Sequence, residues 1–352
     1  MCACRHHILE LIINSAYSVS FGGTKSPINE EFEKFRDKWE CVDKSLQYRS
    51  LTISNRGLKT KSEKFASFLK SRVQCQFDRD DYLECTELSL IMLGVLPPRG
   101  VRFRRPGAIS HARWMSKILY SLKMYLFQDQ LEYDQQLIMK LEKICLFIVL
   151  VYVPSWLNAS SGVEAAVHDL QLWKDIKLFA GIDKNISDAA TKVLERHFWY
   201  LTEEMSIFSI FSEKLSLQER QTIAKELLRY KRPKANTIAR GIPEFPLITE
   251  NTKIWSCIGA KSWHLFNILN HRANWLSEQP NKWQNMAEFK EAQHAVRNIR
   301  VVNDAAERAI KLITEYSTKI SKDEDEKQAL FQVIENHRKL IPKVDKATLS
   351  KL

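Results

Sequence analysis

Glycine and proline are scarce, with 10 of each in 352 residues. An all-β sandwich or barrel needs turn formers roughly every 8–12 residues, so this scarcity excludes that class. Paired cysteines are lacking as well. The seven cysteines, Cys2, Cys4, Cys41, Cys75, Cys85, Cys145 and Cys257, are odd in number and include no C-x-x-C pair. That pattern argues against a disulfide framework and for thiols that act as small core residues in a reducing compartment. Long apolar runs are missing too. The longest, Ile144 to Val153, has ten residues and meets Pro154, whereas a spanning helix needs about 20. His6, His7 and Glu10 break the apolar start, which argues against a secretory signal. The chain carries no Gly-rich phosphate loop, no G-x-S-x-G elbow and no H-E-x-x-H.

What is present is ordinary globular composition, 45% hydrophobic and 27% charged, so most of the chain should fold. The charge is not balanced: 53 Lys and Arg stand against 42 Asp and Glu, a net charge of +11. A diffuse excess of this size favours an anionic partner, nucleic acid first.

Apolar periodicity predicts a mainly α chain. Ile8, Leu9, Ile12 and Ile13 share one face of a helix from His6 to about Ser20, ended by Gly22-Gly23. Further helices are expected over Asn29–Val42, Lys61–Val73, Asp80–Leu93 and Asp134–Val153. Ser110 is placed to cap one running to about Gln128 with Trp114, Ile118, Leu122 and Tyr125 at helical spacing. Ile186–Phe211 reads as one long helix, followed by Leu217–Tyr230, Ile254–Asn270, Asn303–Tyr316 and Asp323–Leu340. Trp275 to Trp283 reads as loop, Val296–Val302 as a possible strand, and the Lys-rich end as a frayed tail.

Several short patterns could carry chemistry. In Cys4-Arg5-His6-His7, Cys4 and His7 sit at i, i+3 and can share a helix face. Two ligands do not make a zinc site, so an internal packing or polar contact is the favoured reading, with no metal. The basic block Arg99, Arg102, Arg104, Arg105, Arg113 and Lys117 surrounds Trp114. Guanidinium groups pair bidentately with phosphate, and an interleaved indole offers a stacking surface for a base. A solvated loop whose Trp114 belongs to the core of the next helix explains the same residues equally well. Most of the nine tryptophans lie at apolar helical positions, which assigns at least seven of them to packing. Asn303-Asp304-Ala305-Ala306-Glu307-Arg308 looks like an ordinary capped helix start.

Taken in order, these fragments resemble the hAT superfamily of DNA transposases. Cys4-x-x-His7-x-Leu9-x-Leu11 is similar to the family's C-x-x-H-x-L-N-L segment, with Glu10 in place of Asn. Arg113-Trp114 looks like its R-W motif at the start of a helical insertion domain. Ala306-Glu307-Arg308 is similar to the S-E-R segment, with Ala in place of Ser. The resemblance spans nearly the whole chain. It implies a mainly α fold: a large helical insertion-type domain with a remnant of an RNase H-like α/β core at the two ends. The implied boundaries are 1–26 for a core remnant, 27–290 for the insertion domain, 291–340 for a core strand and helices carrying Glu307, and 341–352 for a basic tail.

The same resemblance implies two Asp residues and one Glu around two divalent metals that activate an attacking oxygen. Glu307 would be that Glu, and Trp114 would stack on a distorted base. Both Asp residues normally precede the C-x-x-H segment, and no acidic residue precedes Cys4 here. Glu307 is therefore expected to be vestigial. The chain is expected to bind DNA without cutting it and to need no cofactor, a divalent metal such as Mg belonging only to a full-length relative. A homo-oligomer is an open option, and no membrane role is expected. Nuclear localisation follows from the resemblance, with Lys231-Arg232-Pro233-Lys234 a weak import run. The competing reading is a helical scaffold or protein-interaction module with no nucleic-acid role.

Overall fold

The computed structural model describes residues 3–22, 30–45, 49–53, 56–75, 77, 80–100, 103–106, 114–233 and 244–303, with isolated positions between 312 and 333. Among these residues every regular element is helical, as the periodicity predicts, and no strand forms. The longer helices are α1 (Arg5–Phe21), α2 (Glu30–Lys38), α3 (Arg56–Arg72), α4 (Asp80–Met92), α5 (Trp114–Leu126), α6 (Gln135–Phe147), α7 (Ala165–Phe179), α8 (Lys184–Glu195), α9 (Leu217–Leu228) and α10 (Ala287–Arg297). The chain divides into two compact units. One comprises Met1–Gly23, Leu51–Phe68 and Tyr133–Asn303; the other comprises Thr24–Ser50, Leu69–Glu132 and Asp304–Leu352.

In the first unit, α1 buries the stripe Ile8, Leu9, Ile12, Ile13, Ala16 and Tyr17. It packs mainly on α8, which presents Ile186, Ala190 and Leu194. Each fully buried aliphatic side chain contributes about 1.5–3 kcal/mol by leaving water. The helix stops at Gly22, whose φ of +82° suits only a residue without a Cβ. Asp134 caps α6, accepting a hydrogen bond from the Leu137 amide at 2.7 Å. Ser216 and Glu219 form a capping box on α9.

Four expectations are corrected. Pro154 does not end the apolar helix. Residues Ile148–Tyr152 adopt a π turn closed by the Val153 amide on the Ile148 carbonyl, and helix resumes over Val153–Leu157. The widened turn accommodates a proline that can donate no hydrogen bond. The long helix over 186–211 is instead α8 followed by three short turns, Trp199–Leu201, Glu203–Ser206 and Ile207–Phe211. The helix over 254–270 is likewise split, at the extended residues Ile258 and Gly259, where Gly259 lies against the Glu203 side chain and a Cβ would collide with that carboxylate.

The strand at 296–302 is replaced by the end of α10. Its buried face, Phe289, Ala292, Gln293 and Val296, carries the helix to Arg297. The next residues form no ladder among the described residues, and a backbone hydrogen bond joins the Arg5 amide to the Val301 carbonyl at 2.8 Å. Gly162 lies beneath them, where a Cβ would stand 3.2 Å from the Ile299 carbonyl oxygen.

In the second unit α4 lies along α5, and aromatic side chains join α2 and the turn after it to α5. Phe32 stacks on Tyr120 with ring centres 4.6 Å apart, and Trp39 meets Phe35 and Phe127 edge to face. Among the described residues six tryptophans are buried, namely Trp39, Trp156, Trp173, Trp263, Trp275 and Trp283. Trp199 and Trp255 are half-buried, Trp199 packing edge to face on Phe245, and the side chain of Trp114 lies outside the described residues.

Candidate nucleic-acid interface

The basic segment after α4 is fastened to the second unit by a buried ion pair. Glu84 on α4 and Lys123 on α5 approach to 2.7 Å, with side chains 4% and 2% exposed. Both charges also serve the backbone of one residue in the segment. The Arg104 amide donates to Glu84 at 3.0 Å, and the Lys123 ammonium donates to the Arg104 carbonyl at 2.8 Å. Lys123 also lies 5.4 Å from the centre of the Trp39 ring. Burial pushes its pKa down, and the Glu84 carboxylate opposes that shift. On either side, Phe103 packs edge to face on Phe127 at 4.9 Å, and Pro106 is buried.

This anchoring fixes which way the cations face. Arg105 is exposed and meets Glu40 at 3.7 Å across solvent. Such a surface pair is worth at most about 1 kcal/mol, so a phosphate can displace it. Arg104 is half-buried and Arg99 is exposed. Both guanidinium groups lie close enough to Glu87 to oppose the rise in its pKa that burial and Glu84 cause. Lys117 is half-buried on α5. The anchored stretch 103–106 therefore carries Arg104 and Arg105, with Lys117 on the helix that holds it and Arg99 at the end of the preceding described stretch. Arg102, Arg113 and Glu307 lie outside the described residues, as does the side chain of Trp114, the first residue of α5.

Cys4 and His7 do not act as a pair. Cys4 is the half-buried N-cap of α1, and His7 is exposed and contacts Glu10 at 3.4 Å. The residue between them, Arg5, is the structural centre of the motif. Its guanidinium is 3% exposed and lies 2.6 Å from Asp169 on α7. It also donates to the carbonyls of Ala159 at 2.8 Å and Asn158 at 3.2 Å. The Tyr200 ring lies below it at 5.8 Å, and the Tyr200 hydroxyl donates to the Ala3 carbonyl. Burial raises the Asp169 pKa, with Arg5 opposing. Internal polar contact is thus the outcome for this motif, made by Arg5 rather than by its flanking ligand types.

His168, the neighbour of Asp169, is held neutral. Its Nδ1 lies 3.1 Å from the Asn158 carbonyl, so that nitrogen carries the proton, and its Nε2 accepts from Lys214. Burial, reinforced by the Arg5 and Lys214 charges, pulls its pKa to about 3. Below pH 6.5 the unfolded chain therefore takes up a proton that the folded chain refuses until about pH 3. Stability is full above that window and falls as pH drops through it. We expect wild type to lose up to about 2 kcal/mol more than His168→Gln between pH 7 and pH 5 in urea unfolding. Equal losses would contradict the assignment.

Glu84, Lys123, Arg5, Asp169 and His168 all escape a sequence reading. The one available signal for the first pair is that Lys123 interrupts an apolar face of α5, where a lysine has no place unless paired.

Among the described residues no group of three His, Cys, Asp or Glu side chains is placed to hold a metal ion, and no helix is long and apolar enough to cross a membrane. No protein-family model, curated protein or solved structure matches the chain.

Proposed function

We propose that this chain is a helical nucleic-acid-binding protein of hAT-transposase descent, and that it grips DNA backbone through Arg99, Arg104, Arg105 and Lys117 without cutting it. The observation that carries the reading is the buried Glu84–Lys123 pair, which occupies both backbone groups of Arg104. A solvated loop has no use for such an anchor, whereas a cationic surface that meets phosphates gains affinity when its geometry is fixed beforehand. The net charge of +11 supplies the long-range attraction.

Descent from an RNase H-like core rests on the resemblance alone, since no strand forms among the described residues. Residues 3–5 and 299–301, which the resemblance assigns to the two ends of that core, lie side by side around Tyr200 and Val301. The non-cutting half of the proposal rests on the resemblance, in which the residue matched by Glu307 works with two Asp partners. Metal-dependent nicking by the purified chain, abolished by Glu307→Gln, would overturn it. Nuclear location also rests on the resemblance. The 231–234 run lends it little, since Arg232 is committed to Asn267 at 2.7 Å and to the His271 carbonyl at 3.1 Å.

The test is the salt dependence of DNA binding. Arg104→Ala with Arg105→Ala should weaken binding to all duplexes alike and flatten the slope of log affinity against log salt by about 2. An unchanged slope would remove this segment from the interface.

A further inference from the structure

The first unit contains a cavity of about 570 Å³ that no part of the proposed nucleic-acid site uses. Three lysines line it: Lys61 and Lys64 from α3, and Lys214 just before α9. They face one carboxylate, Asp175, which already contacts Lys61 and accepts from Gln171 at 2.7 Å. Lys214 contacts His168, a neutral ring, and among the described residues neither it nor Lys64 forms an ion pair. The cavity is therefore electropositive.

The remaining wall is apolar. Phe65 and Phe68 are half-exposed into it, their rings stacked 6.0 Å apart, and Leu150 and Pro154 close the opposite side. The other polar groups in the lining are used internally. The Ser62 hydroxyl donates to the Lys59 carbonyl, and the Asn158 amide donates to the Pro154 carbonyl, each at 2.7 Å. A sugar or a nucleobase would find few partners for its own polar atoms, and leaving them unpaired in a pocket costs affinity. A flat or aliphatic body carrying one anionic head meets every surface with its complement.

We infer that this pocket binds a small organic anion, a phosphate or carboxylate head on an apolar body, with the head among Lys61, Lys64 and Lys214 and the body against Phe65 and Phe68. Burial lowers the Lys61 pKa to about 8.

Phenyl phosphate, benzoate and inorganic phosphate, each titrated by calorimetry into the full chain, test the proposal. Phenyl phosphate or benzoate should bind with a dissociation constant below about 1 mM, at least tenfold tighter than inorganic phosphate. The better of the two names the head group. The exposed substitution Lys64→Glu should weaken binding by about tenfold through charge alone, and Phe65→Ala should weaken it while leaving inorganic phosphate unaffected. The wild-type chain provides an independent readout that needs no variant. Pyridoxal phosphate condenses with a lysine amine, losing water to form an imine that borohydride reduces to a stable secondary amine. Peptide mapping should find that label on Lys61 ahead of the surface lysines, with phenyl phosphate or benzoate protecting it. Inorganic phosphate binding as tightly as phenyl phosphate, an unaffected Lys64→Glu variant, or label spread evenly and unprotected would each overturn the inference.

Discussion

Replacing Lys123 with Met should cost on the order of 3–5 kcal/mol of stability, because it strands the Glu84 carboxylate in a site only 4% exposed. Glu84→Met should cost a similar amount by stranding the ammonium. The double substitution should recover most of that loss, to within about 1–2 kcal/mol of wild type, since two apolar side chains of similar length avoid the desolvation of both ions. The double variant is the informative one. It restores the fold but removes the Glu84 and Lys123 contacts to the Arg104 backbone, so Arg104 and Arg105 lose their anchor. We expect its DNA affinity to fall by about tenfold while its urea midpoint stays near that of wild type, as loop ordering must then be supplied at the moment of binding. A double variant that folds and binds like wild type would show that the anchor serves stability alone. Single variants that lose less than about 1 kcal/mol would contradict the buried pair itself.

Arg5→Met should be as damaging. It leaves the Asp169 carboxylate buried without a counter-charge and the carbonyls of Asn158 and Ala159 without a donor. The expected loss is again about 3–5 kcal/mol. Arg5→Lys keeps the charge but not the fork, so it should recover less than half of that loss, because an ammonium on a flexible stem cannot span a carboxylate and two carbonyls in fixed directions. His7→Ala, two residues away on an exposed position, should change stability by less than about 0.5 kcal/mol. The contrast is measured by thermal and urea unfolding of the three variants side by side. A severe His7→Ala and a mild Arg5→Met would return the motif to its two ligand-type residues.

These pairs also mark where sequence reasoning succeeds and where it stops. The apolar stripe of α1 repeats at 3 and 4 residues, so its helix and buried face follow from periodicity alone, whereas α5 is predicted as a helix but is buried on nearly every side, Ser116, Ser121 and Lys123 included. Helix α7 gives no such stripe. It is buried on most sides and carries Asp169 and Asp175 among its buried residues, so its pattern mixes charge with apolar positions. Those carboxylates make sense only beside Arg5, 164 residues away, and beside Lys61, 114 residues away. Local patterns cannot register partners at such separations. Glu84 reads as one more acid on a solvated helix face, and only the fold brings Lys123 and the Arg104 backbone to it. Pro154 misleads for a different reason. Proline normally ends a helix, but the π turn at Ile148–Tyr152 removes the clash that would have ended this one. The basic segment is the part of the candidate site that is legible, since its charge is written in consecutive residues, while the anchor that orients it is not.

The most direct test of the central claim is the affinity of the wild-type chain for a labelled duplex, measured by fluorescence anisotropy between about 50 and 200 mM salt. With Arg99, Arg104, Arg105 and Lys117 each neutralising one phosphate, log affinity should fall linearly against log salt with a slope of about −3 to −4. Absence of binding, or binding indifferent to salt across that range, would contradict the account.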